Sequence, residues 1–315
     1  MLLLALATLA LAGCGGEGRD GASDTDSETT AGQGLSGRVQ ADGSSTVGPL
    51  ATAAAERFRG VEPDVQVTIG VSGTGGGFER FCRDETDLSN ASRTIDEEEA
   101  AICEDAGIEY VELPVANDAL TVVVNSDNDW VDCLTVGQLK KIWEPGSKVE
   151  SWQDVDPSFP DEKLTLFGAG TDSGTFDYFT GAINGEEGAS RSDYSATEDD
   201  NNTVTGVSGE KGGLGYFGFS YFEENQDTLK ALEIDGGDGC VAPSVETAQD
   251  GSYKPLSRPL FIYAKNESLQ RPEVEAFVEY LLDNETEIAE ASKFVPLTDE
   301  QLEQARGDFE AAKAG

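Results

Sequence analysis

Three segments of this chain have the residue types that bind a small oxyanion through hydrogen bonds. They are rich in Gly, Ser and Thr, and we call them loop 1 (residues 42–47, DGSSTV), loop 2 (residues 70–77, GVSGTGGG) and loop 3 (residues 168–175, GAGTDSGT). Glycine allows an anion to approach the backbone, and hydroxyl groups add donors. Because Ser and Thr are also common helix N-caps, one such loop is weak evidence. Three loops in one chain favour an anion-binding site.

Each loop lies between a strand-like segment and a helix-like segment. Strands are predicted at 39–41, 65–69 and 164–167, and helices over 49–58, from near 78, and over about 176–183. The start of a helix presents unpaired N–H groups and the positive end of the helix dipole. Alternating strands and helices predict an α/β fold with mostly parallel sheets, in which ligands bind at the carboxyl ends of strands. All three loops fall at such ends.

Other segments complete this pattern. Nearly continuous apolar runs predict further buried strands at 110–115, 120–124, 214–219 and 260–264. Helices are predicted over 96–106 and 132–143, and a C-terminal helix follows from the i, i+3, i+4, i+7 spacing of Val274, Phe277, Val278 and Leu281.

The first residues have the pattern of an export signal. Residues 1–12 form an apolar run that is too short to span a bilayer and that suits the core of a signal peptide, although a basic start is missing. The run ends in Leu-Ala-Gly-Cys, which predicts a bacterial lipobox with a lipidated Cys14; an ordinary secretory signal is the alternative. Residues 15–37 have almost no apolar side chains, which predicts a flexible tether to a folded body.

The charge of the chain limits its partners. Sixty-one acidic and 21 basic side chains give a net charge of −40, which argues against nucleic acid and anionic membrane surfaces. The same field repels oxyanions at long range, but at physiological ionic strength it decays within about 8 Å, so that local dipoles and a few cations dominate inside a cleft. We interpret the acidic surface as an adaptation to high salt, with a generic acidic extracellular protein as the alternative. A melting temperature that rises across a salt series would support the adaptation, and a flat or falling one would contradict it.

Several kinds of enzyme are disfavoured by residues that the sequence lacks. It has no His, so a Ser-His-Asp triad is impossible, and it has neither a GxSxG elbow nor a GxxxxGK[ST] phosphate loop. A zinc site of the usual Cys/His kind is disfavoured for the same reason. A hydrolase that uses only carboxylates is the remaining enzyme alternative, but charge runs such as residues 96–99 are typical of solvated helix faces, so we predict a binding protein without a cofactor or metal. Four cysteines in the folded body of an exported chain favour disulfides, namely Cys82, Cys103, Cys133 and Cys240.

Over about residues 38–300 the chain resembles the phosphate-binding proteins of bacterial phosphate ABC transporters, the PstS type. The resemblance rests on loop 1 and on the sequences SGTGG (72–76), NASR (90–93), DSGTFDYF (172–179) and GLGYFG (213–218). It implies a two-domain, Venus-flytrap substrate-binding fold with a hinge. Such a protein is extracytoplasmic, closes around one inorganic phosphate and delivers it to a membrane permease. The alternatives are another tetrahedral oxyanion (sulfate, molybdate or arsenate) and phosphate sensing without transport.

The resemblance also implies a set of phosphate-binding residues, carried by the three loops and by the NASR segment. They are Ser44, Ser45, Thr46, Ser72, Thr74, Arg93, Asp172, Ser173, Gly174 and Thr175. Well-known members have an Asp where this chain has Arg93 and an Arg where it has Ala169, so we expect Arg93 to be the main cation of the site. The carboxylate that accepts the phosphate proton is then open, with Asp172 and Asp42 as candidates.

With the two-domain fold we predict one domain from residues 38–119 and 259–315 and another from 120–258. The strands at 120–124 and 260–264, which follow Pro-rich or polar segments, would carry the two crossings between them. On this division Cys82 should pair with Cys103, and Cys133 with Cys240, because the other two pairings would tie the domains together and hinder closure. We expect a monomer that is held at the outer face of the membrane by its lipid.

Overall fold

The computed structural model describes residues 34–171 and 173–314. The predicted signal peptide, lipidation site Cys14 and most of the tether lie outside these residues, and so does Asp172. The strands are β1 (Ser36–Gly43), β2 (Asp64–Ile69), β3 (Leu88–Ala91), β4 (Tyr110–Asn125), β5 (Cys133–Thr135), β6 (Thr165–Ala169), β7 (Ser195–Thr197), β8 (Gly213–Gly218), β9 (Leu229–Ala231), β10 (Glu233–Asp235), β11 (Cys240–Val241) and β12 (Ser257–Lys265).

Twelve α-helices alternate with these strands within the described residues. They are α1 (Gly48–Phe58), α2 (Thr74–Cys82), α3 (Glu97–Asp105), α4 (Val136–Trp143), α5 (Trp152–Val155), α6 (Gly174–Asn184), α7 (Asp200–Gly209), α8 (Phe219–Glu223), α9 (Val245–Gln249), α10 (Pro272–Asp283), α11 (Glu285–Ala291) and α12 (Asp299–Ala314). A short 3₁₀ turn covers Ser268–Gln270. In the described part of the chain, no helix is both long enough and apolar enough to cross a bilayer.

The main sheet has the order β2-β1-β3-β12-β4-β8-β6-β7, and β9 also pairs with β4. The strands that end in the three loops pair in parallel with neighbours: β1 with β2 and β3, and β6 with β7 and β8. β4 and β12, in the middle of the sheet, pair antiparallel with each other and with their other neighbours. The α/β fold class predicted from the alternation is confirmed, and loops 1 and 2 lie side by side because β1 and β2 run in the same direction.

Strand β4 differs from the prediction, which placed two separate strands at 110–115 and 120–124. It continues for 16 residues through Asn117 and Asp118, both of which are buried. Asn117 exchanges backbone hydrogen bonds with Val295, and Asp118 lies opposite Arg258 of β12. These partners offset the cost of burying the two polar residues, so the strand continues through a segment that is not apolar.

The apolar core consists of two large clusters that divide along the chain. One contains buried side chains from residues 39–116 and 260–309, and the other contains side chains from residues 120–256. The change from one cluster to the other therefore falls within β4, between Ala116 and Leu120, and between Leu256 and Leu260 at the start of β12. Strand β4 thus contributes side chains to both clusters, and β12 begins at the boundary between them.

Both predicted disulfides are confirmed. Cys82 is bonded to Cys103 and Cys133 to Cys240, with sequence separations of 21 and 107 residues. The first joins α2 to α3, and the second joins β5 to β11 in a separate three-stranded sheet of order β11-β10-β5.

Two of the predicted helices begin at other residues. The helix predicted over 132–143 starts at Val136, because residues 133–135 form β5 and Thr135 caps the helix in a capping box with Gln138. The helix predicted from near Phe78 starts four residues earlier, at Thr74, so the last three glycines of loop 2, Gly75, Gly76 and Gly77, are in its first turn. The first-turn N–H groups of α2 therefore belong to loop 2 itself.

Candidate oxyanion site

Loop 1 joins β1 to α1 and is held against β3. The Ser44 amide donates to the Asn90 carbonyl oxygen at 2.9 Å, and Gly43 has a φ of 141°. A side chain at Gly43 would overlap the Asn90 carbonyl, so glycine is required at this turn. Ser44 and Thr46 are buried, and Ser45 is partly exposed. Since α1 begins at Gly48, the loop lies at a helix N-terminus as predicted.

Loop 2 lies next to loop 1, because the Gly73 amide donates to the Gly43 carbonyl oxygen at 3.0 Å. The Ser72 hydroxyl donates to Oδ1 of Asp42 at 2.7 Å, and the Thr74 and Ser92 hydroxyls are 3.1 Å apart. Both predicted binding hydroxyls of loop 2 therefore have partners within the protein. Ser72 is exposed and Thr74 is half-buried, so solvent reaches this part of the site.

Loop 3 contacts loop 1 directly. The Thr46 hydroxyl lies 3.4 Å from the Gly174 carbonyl oxygen, and a Cβ added to Gly174 would be 2.7 Å from both the amide nitrogen and the hydroxyl of Thr46. Ser173 is the N-cap of α6 and accepts a hydrogen bond from the Thr175 amide at 3.1 Å. The structure thus brings together two loops whose sequences are 128 residues apart.

Asp42, one of the two predicted proton acceptors, is buried and engaged by two donors. Its Oδ1 accepts from Ser72, and its Oδ2 is paired with the Arg80 guanidinium. Asp42 thereby fixes loop 2 against loop 1. Asp172, the other candidate, lies outside the described residues. A third carboxylate, Asp177 in the first turn of α6, has its pKa raised by burial, while Arg258 and a hydrogen bond from Ser45 act in the opposite direction.

Arg93 lies beside loop 2 and is paired with an acidic residue. Its two terminal nitrogens contact the two carboxylate oxygens of Glu99 at 2.7 and 2.8 Å, and its side chain is 45% exposed. Its pKa is raised, chiefly by this hydrogen-bonded pairing. A Cβ on Gly75 would lie 3.8 Å from the guanidinium. Arg93 is therefore near the predicted site, and the Glu99 carboxylate engages both terminal nitrogens of its guanidinium.

Arg258 was missed by the sequence analysis. It lies in β12 with only 17% of its side chain exposed, and its Nη2 donates to the Thr46 hydroxyl at 3.0 Å. Its Nε donates to Asp118 at 3.4 Å, and its guanidinium carbon lies 3.5 Å from the centre of the Tyr178 ring. The available signal was a cation in the sequence Ser-Arg-Pro (257–259), directly before a strand that was predicted to cross between domains.

A run of three acidic residues lies on the other side of loop 3. It follows β7, which is parallel to β6, and the Gly170 amide donates to the Thr197 carbonyl oxygen at 2.9 Å. A side chain at Gly170 would overlap Glu198, the first residue of the run. Burial raises the pKa of Asp200 to about 6, with smaller contributions from Asp199 and Glu198.

This raised pKa predicts a pH-dependent stability. An unfolded Asp titrates near pH 4, so between about pH 4 and 6 the folded protein binds more protons than the unfolded chain and loses stability as the pH rises. We expect Asp200→Asn to stabilise the protein by about 1–2 kcal/mol at pH 7.5, after allowance for partial solvent exposure, and by much less at pH 4. Denaturant unfolding of both proteins at the two pH values measures this; an equal difference at both would contradict it.

Comparison with known proteins places the chain in a family. A model described as a PBP superfamily domain matches residues 24–285. SphX of Synechococcus elongatus is 47% identical over 280 residues, which cover 88% of this chain and 82% of that protein. The phosphate-binding protein PstS of Staphylococcus saprophyticus is 40% identical over 295 residues, which cover 92% and 87%.

Solved structures show the same relationship. The crystal structure of a possible phosphate-binding protein from Planctomyces limnophilus has a TM-score of 0.86 and 48% identity, and the alignment covers 89% of this chain and 99% of that one. A Clostridium perfringens protein solved with bound phosphate has a TM-score of 0.57 and 25% identity, with 83% and 100% covered. The chain therefore belongs to the PBP superfamily, in the family of the SphX and PstS proteins, and has a two-domain substrate-binding fold.

Proposed function

We propose that this protein binds inorganic phosphate outside the cytoplasm and delivers it to the permease of a phosphate ABC transporter, without catalysing a reaction. The observation that carries the proposal is the contact between loops 1 and 3 at Thr46 and Gly174. It brings the N-termini of α1 and α6 to one place, with loop 2 and the N-terminus of α2 beside them. The names of the PstS relatives and the phosphate in the Clostridium perfringens structure support phosphate as the ligand.

The donors of the site suit a tightly bound oxyanion. Charge-assisted hydrogen bonds contribute about 1.5–3 kcal/mol each, so six to eight donors exceed about 10 kcal/mol before the costs of association and closure. A micromolar dissociation constant requires about 8 kcal/mol net. The predicted hydroxyl and amide ligands of the three loops are sufficient in number for this affinity.

Titration calorimetry of the purified protein with phosphate tests the proposal, and sulfate is the matched control. We expect one phosphate per chain at micromolar affinity or tighter, and much weaker sulfate binding. Hydrogen phosphate can donate its proton to a carboxylate of the site, whereas sulfate has no proton to donate and is repelled by that carboxylate. Tight sulfate binding with no phosphate signal would contradict the ligand assignment.

We also propose the domain division predicted above, with residues 38–119 and 259–315 in one domain and 120–258 in the other. The apolar clusters change within β4 and at the start of β12, close to the proposed crossings. Small-angle scattering with and without phosphate is the test. Phosphate should reduce the radius of gyration, whereas identical curves would count against a hinge.

Attachment to the cell surface is part of the proposal. We propose that the chain is a monomeric lipoprotein whose Cys14 carries the lipid, because Cys14 directly follows Leu-Ala-Gly at the end of the apolar run. Membrane fractionation of cells with the natural chain and with Cys14→Ser tests the anchor. Release of the variant into the soluble extracellular fraction would support it, and equal membrane retention would refute it.

Arg93 is expected to contribute to phosphate affinity. Replacing it with Ala should weaken binding by about 2 kcal/mol, or about 30-fold, because the ligand loses a formal counter-charge. Glu99→Gln should strengthen binding, since it removes the carboxylate that now occupies the guanidinium. Calorimetry measures both effects.

Arg83→Ala is the matched control, because Arg83 is also exposed and ion-paired, in its case with Glu79. It should leave the affinity unchanged. An Arg93→Ala protein with the same affinity as the Arg83→Ala protein would exclude Arg93 from the site.

A further inference from the structure

Arg258 joins the two long strands of the sheet. It lies directly opposite Asp118 in the antiparallel register of β12 and β4, and its Nε donates to that carboxylate at 3.4 Å. The Asp118 side chain is 5% exposed. Both residues lie where the apolar packing changes from one cluster to the other, so the pair is part of the connection between the two halves of the sheet.

The same guanidinium of Arg258 contacts two parts of the candidate oxyanion site, loop 1 and the helix that follows loop 3. Its Nη2 donates to the Thr46 hydroxyl in loop 1 at 3.0 Å. Its guanidinium stacks at 3.5 Å on the ring of Tyr178, in the helix that follows loop 3. The Tyr178 hydroxyl donates to the Pro255 carbonyl oxygen at 2.9 Å, which fixes the ring. One planar cation thus contacts loop 1, α6 and both long strands.

The N–H donors of Arg258 suit it to an anion. A guanidinium has five N–H donors in a planar fork, and among the described residues Asp118 and Thr46 accept two of them. The contact with Asp118 is a single long hydrogen bond and not a bidentate pair. A largely buried cation with donors left for a ligand, beside the N-terminal parts of α1 and α6, is well placed to hold an anion.

We infer that Arg258 is a second anion-recognition cation of the site, and that it couples the bound anion to the strands β4 and β12. The inference rests on the proposed phosphate-binding function. When phosphate is bound, the guanidinium donates to it while it remains stacked on Tyr178 and paired with Asp118. The anion, loop 1, α6 and both long strands are then connected through one side chain, so that occupancy of the site favours one relative position of the two halves of the sheet.

Removing the charge of Arg258 and that of Asp118 in separate variants distinguishes anion recognition from a purely structural ion pair. Arg258→Gln should weaken phosphate binding about 10- to 100-fold, the value of one or two charge-assisted hydrogen bonds. Asp118→Asn should strengthen it, because the Asp118 carboxylate offsets part of the Arg258 charge and repels the bound anion, and the variant removes that negative charge. A structural pair predicts that both variants weaken binding. Arg258→Lys keeps the charge without the planar fork and should be intermediate.

The measurements are phosphate calorimetry and small-angle scattering on the full chain, with thermal unfolding of the ligand-free proteins to verify folding. Arg306→Gln is the matched control, because Arg306, like Arg258, combines an ion pair with a second hydrogen bond, in its case to Asp283 and to the Leu282 carbonyl oxygen. It should bind phosphate and contract like the parent protein. If Arg258→Gln does not fold, the comparison of Arg258→Lys with Asp118→Asn decides.

Weaker binding and lost contraction in Arg258→Gln, with stronger binding in Asp118→Asn, support the inference. An unchanged affinity in Arg258→Gln, weaker binding in both variants, or full contraction of Arg258→Gln at saturating phosphate would overturn it. A parent protein that binds no phosphate would overturn the proposed function itself, which is a distinguishable result.

Discussion

Gly174→Ala is expected to weaken phosphate binding about 100-fold while the protein remains folded. The added methyl group would be 2.7 Å from the amide nitrogen and the hydroxyl of Thr46, closer than a carbon atom can approach a backbone nitrogen without displacement. Loops 1 and 3 must therefore separate, and two or more charge-assisted hydrogen bonds from the two loops cannot reach the same anion. Calorimetry with phosphate measures the loss.

The stability of this variant helps to isolate the effect. Gly174 is the first residue of α6, and alanine is a better helix former than glycine, so the helix is not expected to melt. Gly209→Ala is the matched control, because Gly209 ends α7 without a positive φ and a methyl group added there would have no neighbouring atom within 4 Å. Equal affinities of the two variants would show that the contact between loops 1 and 3 is not needed for binding.

Loss of the disulfide between Cys133 and Cys240 is expected to reduce the free energy of unfolding by about 4–5 kcal/mol. The bond closes a loop with a sequence separation of 107 residues, and in the chain-entropy model the stabilisation grows with the logarithm of loop length. The double variant Cys133→Ala/Cys240→Ala removes the bond without leaving free thiols. Urea unfolding under oxidising conditions measures the difference.

Phosphate affinity provides the control for this prediction. The bond lies in the three-stranded sheet, and neither cysteine belongs to the three loops, so the folded double variant should bind phosphate within about twofold of the parent protein. A loss of stability below about 1 kcal/mol would mean that the unfolded chain is constrained by other means. A large loss of affinity in a folded variant would show that this sheet also positions the site.

The sequence predicted the local features of the candidate site correctly. Loops 1 and 3 lie between the predicted strands and helices, and loop 2 does so with an earlier helix start at Thr74. These features depend on glycine conformations, N-caps and apolar runs, which act over a few residues and are therefore legible in a single chain. The family resemblance also allowed the disulfide pairing to be predicted, because that pairing follows from the predicted division of the chain into two domains.

The partners of the charged residues could not be predicted from local sequence patterns. Asp42 was one of two candidates for the proton acceptor, and the fold shows that Ser72 and Arg80 hold its carboxylate. Arg93 was predicted as the main cation, and the fold places Glu99 against it, six residues further along the chain. Such pairings depend on side-chain direction and on the packing of neighbouring helices, which local sequence patterns do not specify.

The three donor-rich loops, the α/β fold class and the elements that carry the loops could all be predicted from the sequence, because each follows from short-range backbone chemistry and apolar periodicity. The tertiary structure alone decided that Arg258 meets Asp118, Thr46 and Tyr178, which are 140, 212 and 80 residues away along the chain. That meeting is set by the register of β12 against β4 and by the approach of loop 3 to loop 1. Register and approach depend on how the whole core packs, so no local pattern around residue 258 could specify them.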